Sequence, residues 1–153
     1  MLSKTTEYQF DGQRKWHLID AKTESLGRLA SRIVLLLQGK NKAIFAPQLY
    51  CGDFVIVINT QFVKISHPAK WDKKVYHFYS GYPGGLTGKT LRELANQDPN
   101  EIIKKAIYNM LPKNKLRTLR FNRLKLFVDS QEGKELYASM KKKGQKSSES
   151  QTK

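Results

Sequence analysis

Gly84-Gly85-Leu86-Thr87-Gly88-Lys89-Thr90 has the residue types that cradle a nucleotide phosphate: glycines for close approach, then a lysine and a threonine. The spacing fails. A phosphate-binding loop needs four residues between its first glycine and the Gly-Lys-Thr, so that enough backbone N–H groups converge on the phosphates. Gly84 leaves three, and the residue at the right distance is Pro83, which has no N–H to donate. Asp20, Asp53 and Glu93 are the carboxylates nearest expected strand ends and helix starts, yet spacing ties no histidine or second carboxylate to them. Glu93 reads as a capping partner, Asp20 and Asp53 as turn residues. Cys51 is the sole cysteine, which excludes an intrachain disulfide and a multi-cysteine zinc site. His17, His67 and His77 show no ligand spacing with it. Neither a cofactor nor a metal is expected, and the chain reads as something other than an enzyme.

The chemistry that does stand out is phosphate neutralisation. Between Ile102 and Val128 there is no Asp or Glu, while Lys104, Lys105, Lys113, Lys115, Arg117, Arg120, Arg123 and Lys125 all fall there. A one-signed block repels itself unless a polyanion accompanies it. Leu116, Leu119, Phe121, Leu124, Leu126, Phe127 and Val128 interleave with the charges, so the segment is expected to fold with one side packed. In a helix, Lys113, Arg117 and Arg120 lie near one face. The whole chain repeats the bias: 28 Lys and Arg against 13 Asp and Glu give a formal charge of +15 over 153 residues. Nucleic acid or an anionic membrane surface would suit that charge. Spanning a membrane would not, because the longest apolar run, Ile33-Val34-Leu35-Leu36-Leu37, is far below the ~20 residues needed. Met1 to Gln13 read neither as a secretory signal nor as an Arg-rich transit peptide.

Such side chains need a scaffold, and the pattern predicts one. Trp16–Asp20 is a short strand-type run. Ser25 is a plausible N-cap for a helix from Leu26, whose apolar face is Leu26, Leu29, Ala30, Ile33 and Leu37 and whose stop is Gly39. Phe54–Ile58 is a continuous β-branched run of the kind found in strands covered on both faces. Val63–Ile65 is read as a short extra strand and Lys74–Tyr79 as an aromatic one. Four glycines and a proline within Ser80–Gly88 predict irregular structure. Thr90 and Glu93 have capping-box spacing. Asp98, Pro99 and Glu101 repeat that logic before a helix whose Ile103, Ala106, Ile107 and Met110 should be buried, with Pro112 ending it. A short helix is expected over Lys115–Asn122 and a last strand over Leu124–Val128. This is an α/β protein: a 1–15 extension, a 16–128 domain, and a 129–153 extension read as disordered or ordered only by a partner.

Several stretches together resemble the universal large-subunit ribosomal protein "L thirteen" family. They are Trp16 to Ala21, Leu26-Gly27-Arg28-Leu29-Ala30, Gly39-Lys40-Asn41-Lys42, Gly52-Asp53-Phe54-Val55-Ile56-Val57-Ile58-Asn59 and Lys74-Val75-Tyr76. Gly81-Tyr82-Pro83-Gly84-Gly85, Met110-Leu111-Pro112-Lys113 and Arg123-Leu124-Lys125 complete the set. Each is weak alone; their order along residues 16–128 is specific. The resemblance implies a three-layer α/β/α fold with a small, mostly parallel sheet. It implies a non-enzymatic role, binding and bracing large-subunit ribosomal RNA among neighbouring ribosomal proteins, with no membrane or small-molecule substrate. The glycine loop and the basic segment after Pro112 are its implied RNA-facing parts. The residues expected to face RNA are Arg28, Lys40, Lys42, Lys74, Tyr82, Gly84, Gly85, Lys89, Lys113, Lys115, Arg117, Arg120, Arg123 and Lys125.

The chain departs from the bacterial pattern at Gln48 and Tyr50, where His and Asp are usual, at Asn109, where glycine is usual, and at Leu116-Arg117-Thr118 in place of Leu-Gly-Arg. Lys70-Trp71, Cys51-Gly52-Asp53, Ala106-Ile107-Tyr108, Pro112-Lys113-Asn114 and Leu126-Phe127 look like mitochondrial members. The expected setting is therefore the mitochondrial ribosome, with a bacterial or plastid ribosome as the alternative. Two other readings compete: a nucleic-acid-binding protein outside any ribosome, which charge alone would permit, and a nucleotide-dependent enzyme using Gly84–Thr90.

Overall fold

The computed structural model describes the backbone of residues 14–149 and the side chains of residues 14–142. The expectations for Met1 to Gln13 lie outside the described residues. At the centre is strand β2 (Phe54–Ile58), whose run of apolar residues is sandwiched as its composition demands. It pairs in parallel with β1 (Trp16–Asp20) on one side, Trp16 opposite Phe54, and with β5 (Leu124–Leu126) on the other, Val55 opposite Leu124. The Trp16 and Phe54 rings stack across the pair at 4.4 Å.

Alternation along β2 sends its side chains into two layers. Val55 and Val57 pack into a core shared with α1 (Leu26–Gln38) and α4 (Pro99–Met110), including Leu29, Ile33, Leu37, Ile103, Ile107 and Leu111. Ile56 and Ile58 face the opposite way, toward α6 (Ser130–Glu149). A Cβ at the buried Gly133 would collide with the Ile58 side chain, so glycine lets this helix lie close on the sheet. The result is a three-layer α/β/α arrangement around a small parallel sheet. The extension beyond Asp129, expected to be disordered or ordered only by a partner, carries the helix α6. Its signal was faint because Leu136, Tyr137 and Met140 are only half-buried among charged neighbours.

The helix ends follow local rules with two exceptions. Gly39 closes α1 in the left-handed conformation, φ 77°, its N–H reaching the Leu35 and Leu36 carbonyls. Ser25 occupies the N-cap position, yet its side chain makes no cap; Leu26 N–H donates instead to the Lys64 carbonyl at 2.8 Å. That single bridge between Ser25 and Lys64 is all that Val63–Ile65 contributes, not a strand. Asp98 caps α4 through a 2.9 Å bond from Asn100 N–H, with Pro99 in the first turn. Glu101 does not reach back, because its carboxylate lies 3.6 Å from Lys105. Met110, expected to be buried, is 44 % exposed, since the buried stripe passes from Ile107 to Leu111 and leaves Met110 at its margin. Lys104 is exposed and Ala106 half-buried. Ile107 is fully buried. Ile107→Val should therefore cost about 0.5–1.5 kcal/mol, read from the urea unfolding midpoint at constant slope.

The second sheet is a hairpin of β3 (Val75–Tyr79) and β4 (Leu86–Thr90), Tyr79 opposite Leu86. It corrects the expectation that Ser80–Gly88 is wholly irregular. Glycine is disfavoured in strands, but pairing with β3 supplies the ladder that propensity does not. The tip is a turn in which Gly85 N–H donates to the Tyr82 carbonyl at 2.9 Å, with Pro83 first and Gly84 second at φ 74°. That is the arrangement of a type II turn, which needs a positive φ at its third residue. The inner face, Tyr76 and Phe78, packs with Leu91 and Leu94 of α3 (Leu91–Gln97) and Ile102 of α4. A four-residue helix α2 (Lys70–Lys73) precedes the hairpin, and α5 (Leu116–Phe121) precedes β5. Beyond Leu126, Phe127 N–H still bonds the Val57 carbonyl at 2.9 Å, although the strand is shorter than expected.

Candidate nucleic-acid interface

The lysine and threonine that mimic a phosphate-binding loop already have structural duties. Lys89 Nζ donates to Gln97 Oε1 at 2.9 Å. Thr90 Oγ1 accepts from Glu93 N–H at 3.2 Å, and Glu93 Oε2 accepts from Thr90 N–H at 3.0 Å, a complete capping box. The segment before them is a hairpin tip rather than a ring of convergent N–H donors.

Asp53 is likewise occupied. Its buried carboxylate accepts from Lys42 Nζ at 2.5 Å, Lys15 N–H at 3.0 Å and His17 Nε2 at 3.0 Å. Burial pushes this carboxyl up, but the hydrogen bonds from Lys42, Lys15 and His17, with the Lys42 charge, outweigh it and hold the group below its ordinary value. A folded-state pKa below the unfolded one stabilises the fold above that unfolded value, 3.8, and the contribution disappears as pH falls through the folded value. Asp53→Asn should therefore be less stable than the parent at neutral pH, and the gap should close as the pH falls below about 4. Urea midpoints measured across that range check it; a gap that stays constant with pH would remove the carboxylate from the account. Lys42 also donates to the Cys51 carbonyl at 2.9 Å, so it is a tie between loops before it is a surface cation.

The acid-free segment divides in a way its charges do not announce. Arg120 is 2 % exposed and Arg123 is 3 % exposed. Arg120 donates to the carbonyls of Pro47 at 3.1 Å and Leu49 at 3.3 Å. Burial draws its pKa below the ordinary value, partly offset by Cys51 and Tyr50. Arg123 donates to the Gly52 carbonyl and lies over the Tyr50 ring at 3.4 Å, while Tyr50 Oη donates to the Leu119 carbonyl at 2.5 Å. These two arginines, expected among the RNA-facing residues, are instead internal clamps on residues 47–52. A guanidinium has five donors in a fixed fork and can satisfy several loop carbonyls at once, which lysine cannot. Arg117 is intermediate: it lies over the Tyr108 ring at 3.7 Å, donates to the Tyr108 carbonyl, and remains half-exposed.

Exposed cations remain at Arg28, Lys40, Lys74, Lys113, Lys115 and Lys125. Arg28 lies in the first turn of α1 and Lys40 just past its end, about 18 Å apart along the axis. Lys125 alternates away from Leu124 and Leu126, which pack on the main core. At the hairpin tip, Tyr82 is 75 % exposed, Gly84 is exposed and Gly85 half-buried. Lys70, His77 and Tyr79, not among the residues expected to face RNA, are exposed as well. Alternation within β3 was the available signal for the last two, since Val75, His77 and Tyr79 share the outer face.

Among the described residues no group of three or more His, Cys, Asp or Glu is placed to hold a metal ion, and no helix is long and apolar enough to cross a membrane. A strongly cationic α/β protein whose carboxylates serve as caps and ties has the character of a scaffold rather than a catalyst. The comparisons make the class particular. The family model described as "Ribosomal protein L13" matches residues 14–133, and the chain belongs to that family, a structural and non-enzymatic component of the ribosome. It is similar to the "Large ribosomal subunit protein uL13" of Thermosipho africanus, 43 % identical over 131 residues that cover 85 % of this chain and 87 % of that one. It is also similar to the proteins of the same description from Clostridioides difficile, 43 % identical over 121 residues (79 % and 84 %), and Arthrobacter sp., 47 % over 117 residues (76 % and 79 %).

Proposed function

We propose that the chain is a structural constituent of the large ribosomal subunit that binds and braces large-subunit ribosomal RNA, in contact with neighbouring ribosomal proteins and supporting assembly and translation. The observation that carries this reading is the acid-free segment 102–128 lying inside the region matched by the family. The functional unit is residues 16–128, with extensions on either side, of which the C-terminal one supplies α6 against its sheet. Its phosphate contacts are Lys113, Lys115 and Arg117, joined by Arg28, Lys74 and the hairpin tip around Tyr82, Gly84 and Gly85. These contacts fix position on the RNA backbone and read no sequence directly.

Three neutralised phosphates contribute about 2 to 3 units to the log–log salt slope. Replacing Lys113, Lys115 and Arg117 together by glutamine should flatten the slope for deproteinised large-subunit RNA by that amount, with the thermal midpoint lowered only by what Arg117 loses at Tyr108, which Arg117→Gln alone reads. An unchanged slope would reject the assignment.

For the compartment, the bacterial relatives favour a bacterial ribosome over the mitochondrial one expected from details such as Lys70-Trp71 and Pro112-Lys113-Asn114. Fractionation followed by a high-salt wash tests both points. The protein should stay with the large subunit, and the fraction carrying that subunit identifies the ribosome. A protein that washes off would instead be a free nucleic-acid-binding protein.

A further inference from the structure

A cleft of about 340 Å³ opens where the first turn of α1, the end of α4, the start of β3 and the chain around α2 meet. It lies within the roughly 300–1,000 Å³ that small-ligand pockets occupy. Its walls are apolar, from Leu26, Ile65, Ala106 and the exposed Met110, with ring surface from Tyr76. Lys70 and Lys74 stand at the rim, both exposed, and none of the lining residues is acidic. Asn109, exposed at the end of α4, completes it.

We propose that this cleft receives one unstacked nucleobase of the bound RNA, with the flanking phosphates on Lys70 and Lys74. The inference rests on the RNA-binding reading above and adds a subsite to it. Three observations choose the occupant. The apolar walls suit a flat body with little charge, and Met110, which the core does not use, offers a polarizable thioether to an aromatic face. Asn109 carries both donor and acceptor, the pattern that pairs with a base edge. The lysines supply positive charge beside the apolar opening, as a nucleotide requires and a plain hydrocarbon does not. An acyl chain would set neither a hydrogen-bonding group against Asn109 nor a negative charge against Lys70, which reaches Ser66 Oγ at 3.1 Å, and Lys74, which lies over the Tyr76 ring at 5.2 Å. An acidic side chain would leave the apolar walls uncovered.

Gly27 makes the test clean. It is exposed in the first turn of α1, it lines the cleft, and a Cβ there would meet nothing within 4 Å. Gly27→Leu can therefore fill the opening without disturbing the core. The probes are the four ribonucleoside 5′-monophosphates, titrated into isotope-labelled full-length protein and followed by NMR, with inorganic phosphate as the control. At least one monophosphate should shift the Met110 methyl, the Asn109 side-chain amide and the Gly27 amide saturably, while inorganic phosphate leaves the Met110 methyl in place. Gly27→Leu should weaken that binding at least tenfold with no fall in the thermal midpoint. Asn109→Leu should bring the affinities of the four monophosphates together. Absence of a saturable Met110 shift with all four, or shifts that Gly27→Leu leaves intact, would overturn the proposal. Deproteinised large-subunit RNA, titrated in the same buffer, separates the two levels: if it binds while the monophosphates do not, only the subsite falls.

Discussion

Gly52→Ala is expected to destabilise the protein by about 3 kcal/mol or more, at the upper end of overpacking costs. The added methyl would collide with the Leu37 carbonyl oxygen and stand 2.6 Å from its carbonyl carbon. Those are backbone atoms in the last turn of α1, and a backbone cannot turn aside as a flexible side chain can. Neither partner is free to retreat. Asp53 N–H donates to the Leu36 carbonyl at 3.0 Å, which fixes the loop to the helix end, and Leu37 itself is fully buried in the main core. On its other side the Gly52 carbonyl receives Arg123. Gly27→Ala is the matched control. Its Cβ meets open space, so it should stabilise α1 by a few tenths to about 1 kcal/mol through helix propensity alone. Urea denaturation of the two variants beside the parent reads both effects, and an unchanged midpoint for Gly52→Ala would mean that the loop and α1 are less tightly docked than described.

The second large effect is the loss of Arg123. Arg123→Ala removes the donor to the Gly52 carbonyl, uncovers the Tyr50 ring and leaves a cavity beneath residues 47–52. Together these should cost roughly 3–5 kcal/mol. Arg120→Ala should follow, because Pro47 and Leu49 lose a shared donor. Any test of RNA contact that neutralises all the arginines of this segment would therefore unfold residues 47–52 and misread the result as lost affinity. Lys113→Gln and Lys115→Gln, both at exposed positions, should lie within about 0.5 kcal/mol of the parent. If Arg123→Ala unfolds at the parent's urea concentration but flattens the RNA salt slope by about one unit, the internal clamp is wrong and the surface reading is restored.

Arg120 and Arg123 show where a linear reading stops. Their sequence context, a run of cations without acids, is identical in kind to that of Lys113 and Lys115. What separates them is the chain more than seventy residues earlier, whose carbonyls fold back over them, and no local pattern records that. The strand β2 was legible because four of its five apolar residues are β-branched and no polar residue breaks the run, and α1 because its apolar period ends on a glycine. The caps at Thr90 and Asp98 were legible because capping is decided within three or four residues. Strand β4 was not, since glycine-rich sequence speaks for a loop until a partner strand is present. Met110 was misjudged because a buried stripe narrows toward a helix end, and periodicity alone does not say which of two adjacent apolar residues it will follow. The phosphate-loop likeness fails in sequence on one missing residue, and in the fold Lys89 and Thr90 bond to Gln97 and Glu93.

The order in which the sheet is built has a consequence for synthesis. β1, α1 and β2 come early in the chain, but the third strand, β5, and the helix over the far face, α6, come only after residue 123. A growing chain therefore carries β2 with one hydrogen-bonding edge unmet, and with Ile56 and Ile58 uncovered, until residues 124–133 have been made. Exposed edges and bare apolar faces are the features by which partly made proteins associate wrongly. Because β2 waits for Leu124–Leu126 at its edge and for Gly133 on its far face, the sheet closes only once residues 124–133 have been made. The risk of misassociation is concentrated in the interval before it.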